Sequence, residues 1–258
     1  MEFSDKTIIL RVGSFRESDL WLRLLSPGRG VFSAFAFGGG RSRKRFSGCL
    51  DLFNEVLFQI KSDRPGNYLS LREGVLLKGP DRLRRDWRRL GVAVNCARFL
   101  ESFPLTPDGS PKAHSLFADL LNSLERMETL PQFLPIFFRA RLTISQGYAL
   151  TPGHCLHCGK AWEKDEPAVF PLRSSGLLCR TCASSGPFLA SAVLDGGPRF
   201  SFRPEDLSVL RQVMEQPLPE WKLENYPETA QKNCAEAMDG FLQYHLGLYW
   251  ERSRLKRG

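Results

Sequence analysis

Two pairs of cysteines, Cys155 with Cys158 and Cys179 with Cys182, lie along CLHCGKAWEKDEPAVFPLRSSGLLCRTC in the pattern C-x2-C-x20-C-x2-C. A CxxC step doubles the backbone back and turns both sulfurs to one side, so two such knuckles present four thiolates to one tetrahedral ion. Gly159 directly follows the first pair and eases that turn. Zinc suits the set, because it has no redox chemistry and no d-electron demand on geometry. A closed shell of four sulfurs leaves no open position, so the expected role is structural, with one zinc ion per chain. Two disulfides or four unrelated buried thiols are the competing uses. Disulfides fit poorly with the opening MEFSDKTIIL, which has neither a basic n-region nor a small-residue cleavage site. Unrelated thiols would not repeat the CxxC step. His154 and His157 flank the first knuckle, where four cysteines leave them no vacancy. Cys49, Cys96 and Cys234 read as small buried residues.

The second cluster is cationic. Residues 38–48 read GGGRSRKRFSG, with Gly38, Gly39 and Gly40 ahead of Arg41, Arg43, Lys44 and Arg45. Glycine lets a backbone approach a surface closely, and arginine pairs phosphate oxygens with a planar fork. These cations are expected to face an anion; a solvated hairpin loop is the bland reading. Phe37 and Phe46 flank the run and read as core residues at its base, with stacking on a nucleic-acid base as the alternative. A further run, Arg84, Arg85, Arg88 and Arg89, falls in DRLRRDWRRLG, and the tail ERSRLKRG adds more positive charge. A charge run on a helix is usually its wet face, so these stand as secondary nucleic-acid-contact candidates. The net charge of +8 over 258 residues points the same way without deciding it.

Several chemistries are absent. There is no GxxxxGK[ST], and GGGRSRKR lacks the spacing and the terminal hydroxyl that hold a nucleoside triphosphate. The H-x-E and PCxxC set of zinc deaminases is missing too. The four histidines have no clustered carboxylates near them, so no catalytic constellation is expected and the chain does not read as an enzyme. No apolar run approaches the roughly 18 residues of a membrane span, and a cytoplasmic location is the expectation.

The elements that must position these groups change character near Pro80. Before it, KTIILRV, LWLRLL, GVFSAFAF, LDLFNEVLFQIK and YLSLREGVLL are apolar or alternating runs separated by polar, glycine-containing connectors. Five strands at this spacing suit a small barrel, for which the five-stranded OB-fold is the commonest basic example. After it, Leu83, Trp87, Leu90 and Val94 recur at helical spacing, and SPKAHSLFADLLNSLERM and LPQFLPIFFRARLTISQGY continue the helical reading. PEDLSVLRQVMEQ and TAQKNCAEAMDGFLQYHLGLYWERSRL predict two more helices. The expected class is α+β: an OB-fold nucleic-acid-binding domain over 1–80, then a helical domain over 81–258 with a four-cysteine zinc finger at 150–187. FLPIFFRARL, where Phe137 and Phe138 meet Arg139 and Arg141, could line an apolar groove rimmed by cations; a core helix with exposed arginines is the other reading. On these residues alone, a zinc-ribbon RNA-binding or transcription-associated adaptor shares the charge, barrel and metal.

Taken in order, the pieces resemble the RecO family of bacterial recombination mediators over nearly the whole chain. IILRVGSFRESDLWLRLLSPGRGVFSAFAFGGGRSRKRFSGCLDLF is similar to the family's first domain, and QGYALTPGHCLHCG to its passage from helix to zinc. FPLRSSGLLCRTC looks like its second knuckle, and FLQYHLGLYWERSRL like its last helix. Two positions depart from the family: Phe37 stands where members usually carry lysine, and Ser175 precedes Gly176 in place of a glycine pair. The resemblance implies an OB-fold domain, a helical domain with a zinc finger, and no enzymatic turnover. It also implies binding to single- and double-stranded DNA, annealing of complementary strands, and partnership with RecR in the RecF pathway. Recognition of the acidic, hydrophobic-ended tail of single-stranded-DNA-binding protein would then let RecA load on coated strands. A place in the bacterial cytoplasm, at the nucleoid, goes with that role.

Overall fold

Each of the first five strands sends apolar residues into one core. In β2 (Leu20–Ser26) Leu22 and Leu24 are fully buried while Arg23 between them is not, and in β4 (Glu55–Ser62) Val56, Phe58 and Ile60 point inward. With β1 (Glu2–Ser14), β3 (Gly30–Ala36) and β5 (Leu69–Lys78) they close a barrel in the order β1-β2-β3-β5-β4. All pairings are antiparallel except β3 with β5, which run parallel through Ala34–Leu69 and Phe35–Ser70. This is the five-stranded OB-type barrel that the strand spacing predicts. In the computed structural model the described residues are 2–62, 68–148, 150–162, 166–174, 176–184, 198–251 and 254–257. The chain divides into two units, Met1–Glu128 and Thr129–Gly258.

The segment between β3 and β4 leaves the barrel wall and then returns to its core. Phe46 and Cys49 pack with Ile9, Leu22, Leu24, Val56, Phe58 and Ile60. Gly74 of β5 admits the Phe58 ring, since a Cβ there would meet it at 2.6 Å. The run LDLFN does not start a strand as expected: β4 begins at Glu55. Phe53 adopts φ 64°, its N–H donates to Ile9 O at 2.8 Å, and the Asn54 amide donates to Gly48 O and Cys49 O. A buried phenylalanine thus takes the left-handed region because the backbone around it is fully bonded.

Three helices complete the first unit: α1 (Asp81–Arg85), α2 (Trp87–Ser102) and α3 (Ser110–Arg126). The helical pattern through Leu83 and Trp87 predicts one helix, but the chain breaks at Asp86. Its backbone is extended, and its carboxylate caps α2 by accepting from the N–H groups of Arg88 and Arg89. The break resets the helical phase, leaving Trp87 76% exposed and turning Arg89 inward at 3%.

In the second unit, α4 (Leu134–Ser145), α6 (Pro204–Glu215) and α7 (Glu228–Leu246) pack by their apolar faces. β6 (Thr151–Cys155), β7 (Ala168–Pro171), β8 (Gly176–Cys179) and β9 (Arg199–Phe202) form a sheet in the order β6-β8-β7-β9, with the short α5 (Arg180–Ser184) following β8. The Phe170 ring lies 5.9 Å from those of Phe202 and Phe241, tying sheet to helix. α7 is shorter than the sequence pattern predicts. Gly247, at φ 61°, donates its N–H to Gln243 O and ends the helix, and β10 (Leu248–Glu251) and β11 (Arg254–Arg257) follow as a hairpin. Among the described residues no helix is long and apolar enough to cross a membrane.

Candidate nucleic-acid interface and metal centre

The glycine run sits where β3 leaves the barrel. Gly38 takes φ 66°, a value its missing Cβ permits, and its N–H donates to the Asp19 carboxylate at 2.7 Å. Gly40 N donates to Ser18 O at 2.9 Å, and Phe15 N and Arg16 N both donate to Asp19 O. The turn after β1 and the turn after β3 are therefore stitched together, and Gly39–Arg41 forms a single 3-10 turn above them. Arg41, Arg43, Lys44 and Arg45 are all exposed. Arg41 pairs with Glu17 at 2.5 Å, an exposed contact of small energetic weight. Arg45 donates to Phe37 O at 2.6 Å, which fixes the guanidinium at the turn without neutralising it. Arg43 and Lys44 have no ion pair among the described residues. Phe46 is buried in the barrel core, whereas Phe37 is exposed.

The helical cations are placed differently. Arg89, expected on a DNA-facing surface, is buried: it donates to the Asp86 carboxylate at 3.0 Å, to Leu124 O, and to Glu128 O at 3.3 Å. Leu124 O is an orphan carbonyl at the C-terminal end of α3 and Glu128 O lies just past that end, and this guanidinium supplies a donor to each. Arg84 is half-buried and donates to Leu52 O at 3.0 Å and to the Asn54 side chain. Arg85 and Arg88 are exposed, the latter with its guanidinium 5.3 Å from the centre of the Trp87 ring.

The groove expected along α4 does not form from the residues named for it. Phe137 and Phe138 are fully buried and Arg139 is 3% exposed. Their helix packs against α7, where the charge of Arg139 draws down the Asp239 carboxyl that burial raises. Arg141 is half-buried, and burial lowers its affinity for the proton.

The four sulfurs of Cys155, Cys158, Cys179 and Cys182 all lie within 4.8 Å of one another, and Cys158 Sγ is 3.9 Å from Cys179 Sγ. Four ligands about 2.3 Å from a tetrahedral zinc would stand roughly 3.8 Å apart, so the donor set fits the ion. Gly159, at φ 71°, closes the first knuckle by donating to Cys155 O at 3.0 Å. Cys179 N donates to Cys155 Sγ, and Cys182 N to Cys179 Sγ, both at 3.4 Å. Burial alone would raise the Cys155 thiol, but the N–H groups of Cys158, Cys179 and His157 and the Cys158 thiol hold it at about 6. Cys182 is pushed up to about 12, first by its hydrogen bond with Cys179 and then by burial and the other sulfurs. Four crowded sulfurs cannot all ionise without a cation between them. Ser175, the departure noted in the second knuckle, lies outside the described residues. Cys49, Cys96 and Cys234 are buried, as expected of small apolar residues.

The model of the recombination protein O N-terminal family matches residues 1–79, and that of the recombination protein O C-terminal family matches residues 84–255. The chain is 45% identical over 260 residues to the DNA repair protein RecO of Nitratidesulfovibrio vulgaris strain DP4, covering 100% of both chains. It is 42% identical over 259 residues to that of Oleidesulfovibrio alaskensis, again covering 100% of both. To the protein of the same name from Maridesulfovibrio salexigens it is 37% identical over 251 residues, covering 97% of each.

Proposed function

Since the chain belongs to the RecO family of DNA repair proteins, we propose that it binds single- and double-stranded DNA through the turn after β3 and anneals complementary strands without catalytic turnover. The observation that carries this reading is the exposed, internally unneutralised charge of Arg43, Lys44 and Arg45 beside Arg41. Two single strands repel through their phosphates. A cationic surface that neutralises both lowers that barrier without reading bases, and does so with a salt dependence of about 0.7 log units per contacted phosphate. Zinc held by Cys155, Cys158, Cys179 and Cys182 would supply a rigid cross-link between the two knuckles. Its closed shell suits a structural role. The same reading includes RecR as a partner, the acidic tail of single-stranded-DNA-binding protein as a docking peptide, and delivery of coated strands to RecA. The burial of Phe137, Phe138 and Arg139 excludes them from that docking.

Annealing of complementary oligonucleotides, followed at low and moderate salt with and without single-stranded-DNA-binding protein, tests the proposal. The protein should accelerate pairing, most at low salt. Arg41→Ala/Arg43→Ala/Lys44→Ala/Arg45→Ala should lower single-strand affinity and flatten its salt slope by about 2.8. An unchanged slope in the folded variant would sink the assignment of the turn. Competition with RNA of equal sequence separates this reading from an RNA-binding adaptor.

A further inference from the structure

Beside the cationic turn the barrel exposes a group of aromatic rings that its core does not use. Phe15 is 53% exposed, Phe37 37% and Tyr68 49%, and Phe35 is half-buried among them. The Phe35 ring is 5.3 Å from Phe15, 6.0 Å from Phe37 and 5.8 Å from Tyr68, and Phe37 is also 5.8 Å from Tyr68. Phe35 and Phe37 are near parallel at 15°, while Tyr68 stands across both, at 83° and 73°. The rings come from three places in the chain: the turn after β1, the end of β3 and the start of β5. Each braces another, so their orientations are set before any ligand arrives and little entropy is lost on binding.

The charge around this patch names its occupant. The Arg16 guanidinium lies 5.4 Å from the Phe15 ring centre, and Arg45 donates to the carbonyl of Phe37 itself. Arg41, Arg43 and Lys44 follow within the same turn. Of the acids nearby, Glu17 is occupied by Arg41 and Asp19 by the N–H of Gly38. An apolar peptide would want the rings but not the cations, and duplex DNA would want the cations but hides its base faces. A single strand presents unstacked bases and phosphates together.

We propose that Phe15, Phe37 and Tyr68, set on Phe35, form a base-stacking platform that makes this face of the barrel select single strands. The proposal rests on the DNA-binding reading of the adjoining turn and adds to it a contact with bases rather than phosphates. Stacking engages the π-face of a base and leaves its pairing edge free. A strand held this way can meet its complement; once paired, its bases leave the rings and the duplex is held by charge alone.

The test compares oligothymidylate, a strand of the same length made of abasic deoxyribose phosphate, and duplex, each bound to the wild-type protein and to Phe37→Ala, Tyr68→Ala and the double variant. Each substitution should weaken oligothymidylate binding about tenfold and leave the abasic strand, the duplex and the salt slope unchanged. Phe37→Tyr should restore the Phe37→Ala loss, and Phe37→Leu should not. A strand carrying 2-aminopurine should be quenched by the wild-type protein and less so by the double variant. Equal loss for base-bearing and abasic strands, or no loss for either, would overturn the platform. Neither result touches the phosphate reading, which stands or falls on the salt slope of the cationic turn. All the substituted side chains are exposed, and thermal melting of each variant is the check that it remains folded.

Discussion

Residues 41–45 and residues 82–89 are both rich in arginine and both belong to the first unit, yet their charges have different fates. Arg89 is spent on the carbonyls of Leu124 and Glu128 and on Asp86, and Arg84 on Leu52 O and the Asn54 side chain. Arg82 donates to the carbonyl of Glu125, whose carboxylate also takes the Leu83 N–H at 2.6 Å. In the turn after β3 the chain offers far less: Glu17 to Arg41, and the Phe37 carbonyl to Arg45. A helix end carries orphan carbonyls that a neighbouring guanidinium can satisfy, whereas a closed barrel has already paired its own. What separates a structural cation from a binding one is thus whether the fold has an acceptor within reach. The cysteine cluster is the same case with the sign reversed, since four sulfurs meet within 4.8 Å of one another and their charge calls for a cation.

That comparison is sharpened first at the sulfurs, where the expected effect is largest. About one zinc per chain is expected by elemental analysis, and its removal by a chelator should forfeit on the order of 10 kcal/mol of local stability. Hydrogen exchange at Leu177–Cys179 and at Gly159 should then rise to unfolded rates, while the barrel strands stay protected. Unaltered protection in protein shown to be metal-free would remove the centre. Next comes Arg89→Ala, which strands the α3 carbonyls and should cost about 3 kcal/mol in urea unfolding. The folded fraction should keep its DNA affinity. The matching pair Arg43→Ala/Lys44→Ala should do the reverse, changing stability by less than about 0.5 kcal/mol and lowering the single-strand salt slope by about 1.4. If Arg89→Ala weakened DNA binding without destabilising the chain, the two runs would have to exchange roles.

Whatever is local was legible in the sequence. The CxxC steps place their sulfurs by short-range turn geometry, so Cys155, Cys158, Cys179 and Cys182 could be read as one centre before their separations were known. The five strands were legible because each is an apolar run that faces one core, with clean alternation at Val56, Phe58 and Ile60. What was lost depends on partners far along the chain. Asp86 interrupts an unbroken apolar pattern because its carboxylate is a better cap than helix member, and the phase reset that buries Arg89 follows from it. Phe53 ends LDLFN in a left-handed conformation because Ile9 O and Ile9 N bond on either side of it. The predicted helix runs through Gly247 because the apolar residues beyond it match a helix as well as a hairpin strand. Phe37 and Phe46 are nine residues apart and alike in type, and only the return of the segment into the barrel makes one core and the other surface. The aromatic group around Phe35 draws on β3 and on residues at the ends of β1 and β5, a juxtaposition no single window of sequence contains.

The smallest effect tests the boundary between the two classes of arginine. Arg85 and Arg88 lie on the helical run but outside its internal bonding, and neither should matter to stability beyond about 0.5 kcal/mol. They differ in what holds them. Arg85 has no ion pair among the described residues and is free to meet a phosphate, whereas Arg88 is drawn over the Trp87 ring. Arg85→Ala should therefore lower the single-strand salt slope by about 0.7, the value of one phosphate, and Arg88→Ala should leave it unchanged. Trp87→Ala then provides the decisive control. Releasing Arg88 from the ring should not reduce the slope, and if the slope fell as far as in Arg85→Ala, the ring would be presenting Arg88 to a phosphate rather than withholding it, and the division by internal acceptors would fail at this helix.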